Sequence, residues 1–303
     1  QAKKLKLHTI EISREEPFTK KLAEVLAGLH PVKRLDFEEN DLTVSEYQKL
    51  KKELQGITLV PTKGRIEELR ITKREDAFEN FRRAAIITDD CFSYIVNTIK
   101  IGVSESEIAW DIETFFHTHG ADSAFSPIVA FGKNSSQPHY SFARHSLANS
   151  QESVLKKRNI VLLDFGARVN GYCADMTRVV FIGTPKPEWV KAYDTVLTAE
   201  RKALDYLNHG RSGSTADNIA LDIIKKAGFP LYPHSLGHAV GLDIHEAPRL
   251  SIKKDEVLKP GMVVTIEPGV YIESQYGIRI EDLVLLKEDG IEILSHSKYE
   301  TIT

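Results

Sequence analysis

The stretch Asn159 to Gly183, NIVLLDFGARVNGYCADMTRVVFIG, constrains the fold more than any other part of the chain. Two β-rich runs, Ile160 to Val169 and Tyr172 to Ile182, flank Asn170-Gly171. A type I′ hairpin turn needs positive φ at both central residues, which asparagine and glycine tolerate. With that pair in the turn, Val169 pairs with Tyr172, Asp164 falls opposite Thr177, and Asp175 falls opposite Gly166. Asp164 and Asp175 become diagonal neighbours on one face, roughly 7–8 Å apart. Two carboxylates on one face of an apolar hairpin repel each other and are costly to desolvate. The pattern calls for something cationic between them. Two aspartates alone carry little weight, because one can face solvent while the other caps a turn.

Composition excludes several classes. With 303 residues, 42% hydrophobic and 27% charged, the chain has the make-up of a globular protein with room for a large core and two domains. A formal charge of −3 gives no electrostatic reason to expect nucleic acid or an anionic membrane as partner. The apolar runs are strand-length, so no membrane span is expected. Residue 1 is Gln and no basic-then-apolar leader follows, so no secretory signal is expected. Cys91 and Cys173 lie in a helix-like and a strand-like run without metal spacing, which fits reduced thiols in a cytoplasmic protein.

In chain order, residues 1–70 read as a small β-α-β-α-β unit without a Gly-rich phosphate loop: a strand from Leu5 to Ile12, a helix from Pro17 to Gly28, a strand from Val32 to Phe37, a helix from Val44 to Leu54 with a Thr43/Glu46 capping box, and a strand from Ile57 to Val60. From Ile71 to Lys100, Phe78, Phe81, Ala85, Phe92, Ile95 and Ile99 keep helical spacing. Ser104 and Glu107 cap a second helix that stops at Gly120, and the strand Pro127 to Phe131 leads through the loop GKNSSQPHY to the hairpin. The order then recurs, with helices from Pro187 to His209 and from a Thr215 cap to Gly228, followed by strands. A helix pair followed by antiparallel strands, twice, predicts an α+β region over residues 71–303 with two similar halves around one sheet.

The second half concentrates chemistry. HSLGHAVGLDIHEAP holds His234, His238 and His245, and Gly237 and Gly241 argue for an extended or looped segment instead of an HExxH helix. Any one of these histidines is ordinarily a hydrogen-bonded structural residue, but three within twelve residues beside glycines point to a site. Glu267 follows an apolar run in MVVTIEPGVYI, and in GIRIEDLVLL period two places Arg279, Glu281, Leu283 and Leu285 on one face. The bland account of that face is an Arg279-Glu281 pair at a sheet edge. Collected, the acidic residues and one imidazole make an oxygen-rich donor set suited to two divalent cations. Four carboxylates balance the charge of two such ions.

The ordered motifs LLDFGARVNGYCADMTR, HSLGHAVGLDIHEAP, TIEPGVYI and RIEDLVLL resemble those of the pita-bread metallopeptidases, and within them the Xaa-Pro branch of prolidases and aminopeptidases P. The resemblance covers residues 72 to 300. It implies a pita-bread fold, metal ligands at Asp164, Asp175, His238, Glu267 and Glu281, and two metal ions per chain, Mn²⁺ or Co²⁺ ahead of Zn²⁺ or Fe²⁺. His139 of the polar loop matches the family histidine beside the scissile bond, and His234, His245 and Arg279 match further active-site positions. Arg249 resembles the arginine with which some prolidases hold a dipeptide's carboxylate, although an exposed loop arginine is an equal account. Residues 1–70 resemble a partial creatinase-like amino-terminal domain, about half the family's usual size.

The resemblance implies hydrolysis of the Xaa-Pro bond, foremost in dipeptides, by a cytoplasmic homodimer acting on small peptides with proline at the second position. In that scheme the cations activate water and polarise the carbonyl, Glu267 shuttles the proton to the leaving nitrogen, His234 and His245 hydrogen-bond the tetrahedral intermediate or proline-side groups, and His139 orients the substrate. The alternatives are an aminopeptidase P acting on longer peptides, and a non-catalytic pita-bread scaffold.

Overall fold

The computed structural model describes residues 10–13, 15–29, 31–141 and 153–298. The chain divides into two compact units, Gln1–Glu68 and Leu69–Thr303. In the first, helix α1 (Phe18–Ala27), strand β1 (Arg34–Glu38), helix α2 (Val44–Glu53) and strand β2 (Thr58–Thr62) alternate, and the strands pair in parallel. The Thr43/Glu46 capping box forms at the start of α2. Of the expected first strand, Leu5 to Thr9 lies outside the described residues, and Ile10 to Ile12 is not strand.

Helix α3 (Arg65–Ile71) precedes the long helix α4 (Glu75–Thr98). The long amphipathic helix expected from Ile71 therefore forms, but begins at Glu75. Lys73 donates its amide to the Gly261 carbonyl and Arg74 is extended, so a new helix starts after the break. Ser104 and Glu107 form the capping box of α5 (Glu105–Thr118). Strands β3 (Asp122–Ser123) and β4 (Ile128–Phe131) and a 3₁₀ turn (Gly132–Ser136) lead to β5 (Asn159–Phe165), β6 (Ala167–Val169), β7 (Tyr172–Cys173) and β8 (Met176–Ile182). The helices α6 (Pro187–Leu207) and α7 (Gly213–Lys226) follow, then β9 (Gly237–Ala239), β10 (Glu246–Leu250), β11 (Val263–Ile266), β12 (Gly269–Ile272), β13 (Tyr276–Arg279), β14 (Asp282–Lys287) and β15 (Gly290–Ile293). The cap of α7 is Ser212, whose hydroxyl accepts from the Thr215 amide, so the expected Thr215 cap is corrected: Thr215 already lies inside the helix.

The hairpin has the register counted from its turn. Val169 pairs with Tyr172 and Asp164 with Thr177, and Asn170 and Gly171 have φ of 51° and 90°. The strands are not one unbroken ladder. β4-β5-β8 and β10-β9-β11-β14-β15 are separate antiparallel runs, joined where Thr177 and Glu281 form an isolated bridge.

Alternation along the strands explains their continuous apolarity. Val161, Leu163 and Phe165 pack with α4 and α5, whereas Ile160 and Leu162 pack with α6 and α7. Val263, Leu283 and Leu285 divide from Val264, Val284 and Leu286 in the same way. Helices cover both faces, so neither set of alternate residues is free to be polar. Among the described residues, no helix is long and apolar enough to cross a membrane.

Two glycines let backbones meet next to candidate site residues. A Cβ on Gly166 would lie 1.8 Å from the Ala174 carbonyl oxygen, beside Asp175, and one on Gly237 would lie 1.8 Å from the Thr265 oxygen, beside His238. Gly237→Ala should therefore destabilise the protein by about 1–3 kcal/mol, or roughly 2–12 °C in Tm. Thermal denaturation checks this, and an unchanged midpoint would mean that the two strands can part freely.

Candidate metal centre

Two of the five candidate side chains lie within strands and three at breaks in the ladders. Asp164 is near the end of β5, Asp175 lies between β7 and β8, His238 is central in β9, Glu267 follows β11 and Glu281 precedes β14. Ligand atoms of Asp175, His238 and Glu281 lie within 4.8 Å of one another, and all three residues are buried. His238 Nε2 is 3.6 Å from Asp175 Oδ2 and 3.5 Å from Glu267 Oε1, which puts Glu267 at the rim of the cluster. Asp164 Oδ2 accepts from Arg279 Nη2. The bland account of Arg279 and Glu281 as an edge pair does not hold, because Glu281 Oε2 accepts from Thr177 Oγ1 at 2.5 Å and both residues are buried. Their strand breaks at Ile280-Glu281: Arg279 pairs within β12-β13, whereas Leu283 and Leu285 pair with β11.

The tautomer of His238 follows from its neighbours. Nδ1 is 3.1 Å from the Ala239 carbonyl oxygen, which can only accept, so Nδ1 carries the proton and Nε2 presents a lone pair. Burial, helped by His245, lowers the His238 pKa to about 3, so the ring is neutral and its contacts with Asp175 and Glu267 are not ion pairs. A lone pair facing carboxylate oxygens is repulsive unless a proton or cation lies between them.

The carboxylates show the same conflict. Burial, then Glu281, Asp164 and Glu267, pushes Asp175 well above its ordinary value, and among the described residues the buried Asp175 Oδ1 has no hydrogen-bond partner. Burial, then Glu267 and Asp164, does the same to Glu281. Glu267 rises to about 8, chiefly through burial, and Asp164 is raised by burial despite Arg279. An orphaned carboxylate oxygen, an imidazole lone pair and crowded acids fit a divalent cation site.

The sequence reading did not single out three residues that hold this arrangement. Thr177 donates to Glu281 and accepts from Arg279 Nε at 3.0 Å. The Thr265 hydroxyl donates to Glu267 at 3.2 Å and accepts from the His238 amide at 3.1 Å. Tyr271 Oη accepts from Arg279 Nη1 at 2.9 Å and lies 3.0 Å from His234 Nε2. Thr177 was findable, because the hairpin register places it opposite Asp164.

The remaining nominated residues surround the cluster. The His245 ring lies 4.5 Å from that of His238. Arg249 pairs with His238 across β10-β9, on the same face. His234, His245 and Arg249 line a cleft of about 660 Å³. Burial lowers His234 to about 4 and also lowers His245, so neither is a cation near neutrality. His139 is exposed and follows Pro138, whose carbonyl accepts from Arg279 at 3.2 Å.

The sequence matches the model of metallopeptidase family M24 over residues 79–288 and that of the creatinase/prolidase N-terminal domain over residues 1–72. It is 37% identical over 273 residues to an uncharacterised peptidase of Bacillus subtilis, YqhT, covering 89% of this chain and 75% of that protein. The X-Pro aminopeptidase from Thermotoga maritima MSB8 superimposes with a TM-score of 0.88 at 32% identity, covering 96% of this chain and 81% of that one. The Xaa-Pro dipeptidase from Bacillus anthracis gives 0.87 at 36% identity, covering 94% and 78%. The fold is the α+β pita-bread architecture that the ordered motifs implied. With a family model spanning most of its length and relatives of this identity and coverage, the chain belongs to metallopeptidase family M24.

Proposed function

We propose that the chain is an Xaa-Pro dipeptidase with a two-metal centre, in which residues 71–303 carry catalysis and residues 1–70 form an accessory amino-terminal domain. The observation that carries this reading is the convergence of buried Asp175, His238 and Glu281, with Asp175 Oδ1 unpaired among the described residues. Asp164, Asp175, His238, Glu267 and Glu281 would hold the metals. When bound, two divalent ions supply Lewis acidity for water activation and for polarising the scissile carbonyl.

The chain's own groups do the rest. Glu267, fixed by Thr265, takes the proton from the attacking water and delivers it to the departing proline nitrogen. His234 and His245, neutral in the cleft wall, hydrogen-bond the substrate across the scissile bond, and His139 orients it from the opposite loop. Arg279, anchored by Asp164, Thr177 and Tyr271, holds the carboxylates in place. Arg249, on the His238 face, takes the free carboxylate of a dipeptide, a job that suits a planar guanidinium. Similarity to both a dipeptidase and an X-Pro aminopeptidase keeps aminopeptidase P as the second reading. A scaffold without turnover has no use for such a costly cluster. Mn²⁺ or Co²⁺, a cytoplasmic location and a homodimer complete the proposal.

Asp175→Asn should reduce kcat/KM on an Xaa-Pro dipeptide at least about 100-fold with saturating Mn²⁺, since even residues behind metal ligands are worth 10–100-fold. Near-normal hydrolysis would end the two-metal scheme. Chelation should abolish turnover, and added Mn²⁺ or Co²⁺ should restore it with about two ions per chain by elemental analysis.

Arg249→Ala should raise KM for Xaa-Pro dipeptides roughly 10-fold or more, the usual worth of a hydrogen bond to a charged group, and should affect Xaa-Pro-Xaa tripeptides less. Equal loss on both substrates would remove Arg249 from dipeptide selection and favour the aminopeptidase reading.

A further inference from the structure

Glu246, next to His245 in sequence, has its carboxylate turned away from the cluster and into the loop that precedes it. Its Oε1 accepts from the Leu242 amide at 3.0 Å and the Asp243 amide at 3.2 Å. Arg70 Nη2 donates to the same oxygen, and Lys73 Nζ donates to Oε2 at 3.0 Å. The Glu246 side chain is 8% exposed and that of Lys73 4%, so this is a desolvated, charge-assisted knot. Consecutive amides around an anion form a nest, and here the anion is supplied by the loop itself.

The surroundings are shaped to this knot. A Cβ on Gly241 would lie 2.2 Å from a Glu246 carboxylate oxygen, so any larger residue there would have to displace the carboxylate from this position. Arg70 also pairs with Asp243 at 2.8 Å, and the Cys173 amide donates to the Gly241 carbonyl at 2.9 Å, tying the loop to the hairpin. What the loop presents on its other side is His245, whose ring packs on His238.

We infer that Glu246, clamped by Arg70 and Lys73, is a positioning residue that sets the loop 241–245 and thereby the placement of the His245 imidazole over the reaction centre. This rests on the reading of His245 as a substrate-contacting group. Glu246 itself touches neither substrate nor metal. Arg70, in α3, and Lys73, between α3 and α4, are far from Glu246 in sequence, so the clamp also makes the placement of His245 depend on that segment.

The test is a double-mutant cycle on the metal-loaded enzyme, with Glu246→Gln in the native and His245→Ala backgrounds. Glu246→Gln should lower kcat on an Xaa-Pro dipeptide about tenfold with unchanged metal content. In the His245→Ala background the same change should cost less than twofold, because the group it places is gone. Arg70→Gln, at a more exposed position, should reproduce the pattern at smaller size. Equal losses in both backgrounds, or no loss in the native one, would overturn the inference.

A readout independent of turnover separates this from the functional proposal. In Zn²⁺-loaded protein, Glu246→Gln should speed hydrogen exchange at the Leu242 and Asp243 amides at least tenfold and shift the His245 ring resonances. Unchanged exchange and an unmoved ring would refute the clamp even in an active enzyme. Both changes in a protein that fails to hydrolyse Xaa-Pro peptides would uphold the clamp and overturn the substrate reading instead.

Discussion

The structure depends on a charge conflict that the protein alone does not resolve. Asp175, Glu267 and Glu281 gather around His238 where strands from both halves meet, and the Arg279 guanidinium ties Asp164 to Thr177, which donates to Glu281. Four carboxylates and one guanidinium leave three negative charges in a desolvated space. Burial drives each acid upward, so without cations some must bind protons. Two dications would turn that deficit into one surplus positive charge, which suits an anionic nucleophile and a developing oxyanion. The site is thus unfavourable as bare protein and favourable when loaded, and the fold must be rigid enough to hold it in the first condition.

Rigidity comes from covering the strands twice. With α4 and α5 on one face and α6 and α7 on the other, the central strands are locked by alternate side chains in separate cores. Asp175, Glu267 and Glu281 sit where the ladders break: between β7 and β8, after β11, and between β13 and β14. A residue at such a break is released from strict up-down alternation, so side chains from different strands can point at one centre. Arg178, fully buried behind the site, ties the break together by donating to the Glu281 carbonyl at 2.6 Å and to Asp282 at 2.6 Å.

Much of this was legible in the sequence because the determining signals are local. Asn170-Gly171 sets a turn, the turn sets a register, and the register puts Asp164 and Thr177 opposite each other whatever the rest of the chain does. Ser104 with Glu107 marks a helix start for the same reason. Reading failed where tertiary contacts override local pattern. Lys73, held by Gly261 far along the chain, moves the start of the long helix from the expected Ile71 to Glu75. Period two carried Arg279 to Leu285 as one strand, whereas the Thr177 bridge breaks it at Glu281. Thr265 and Tyr271 escaped notice because a threonine or tyrosine in a strand is ordinary. Only the contacts with Glu267, Arg279 and His234 make them part of the site.

The treatment of the histidines around the cluster follows one logic. A carboxylate bonded directly to an imidazole favours its charged form and raises its pKa. Beside a centre that carries excess positive charge when loaded, a cationic histidine would repel the metals and lose its capacity to accept a proton. Here the supporting carboxylates hold backbone or neighbouring groups instead of the rings. Glu105 accepts from the Phe131 amide, Asn134 and Tyr140 in the loop that carries His139. Asp217 accepts from Tyr232 Oη and the Ile252 amide, and Tyr232 stacks on His234. Glu246 binds the loop amides ahead of His245. Negative charge thus fixes position without being spent on protonation, and His234 and His245 stay neutral beside the cluster they serve.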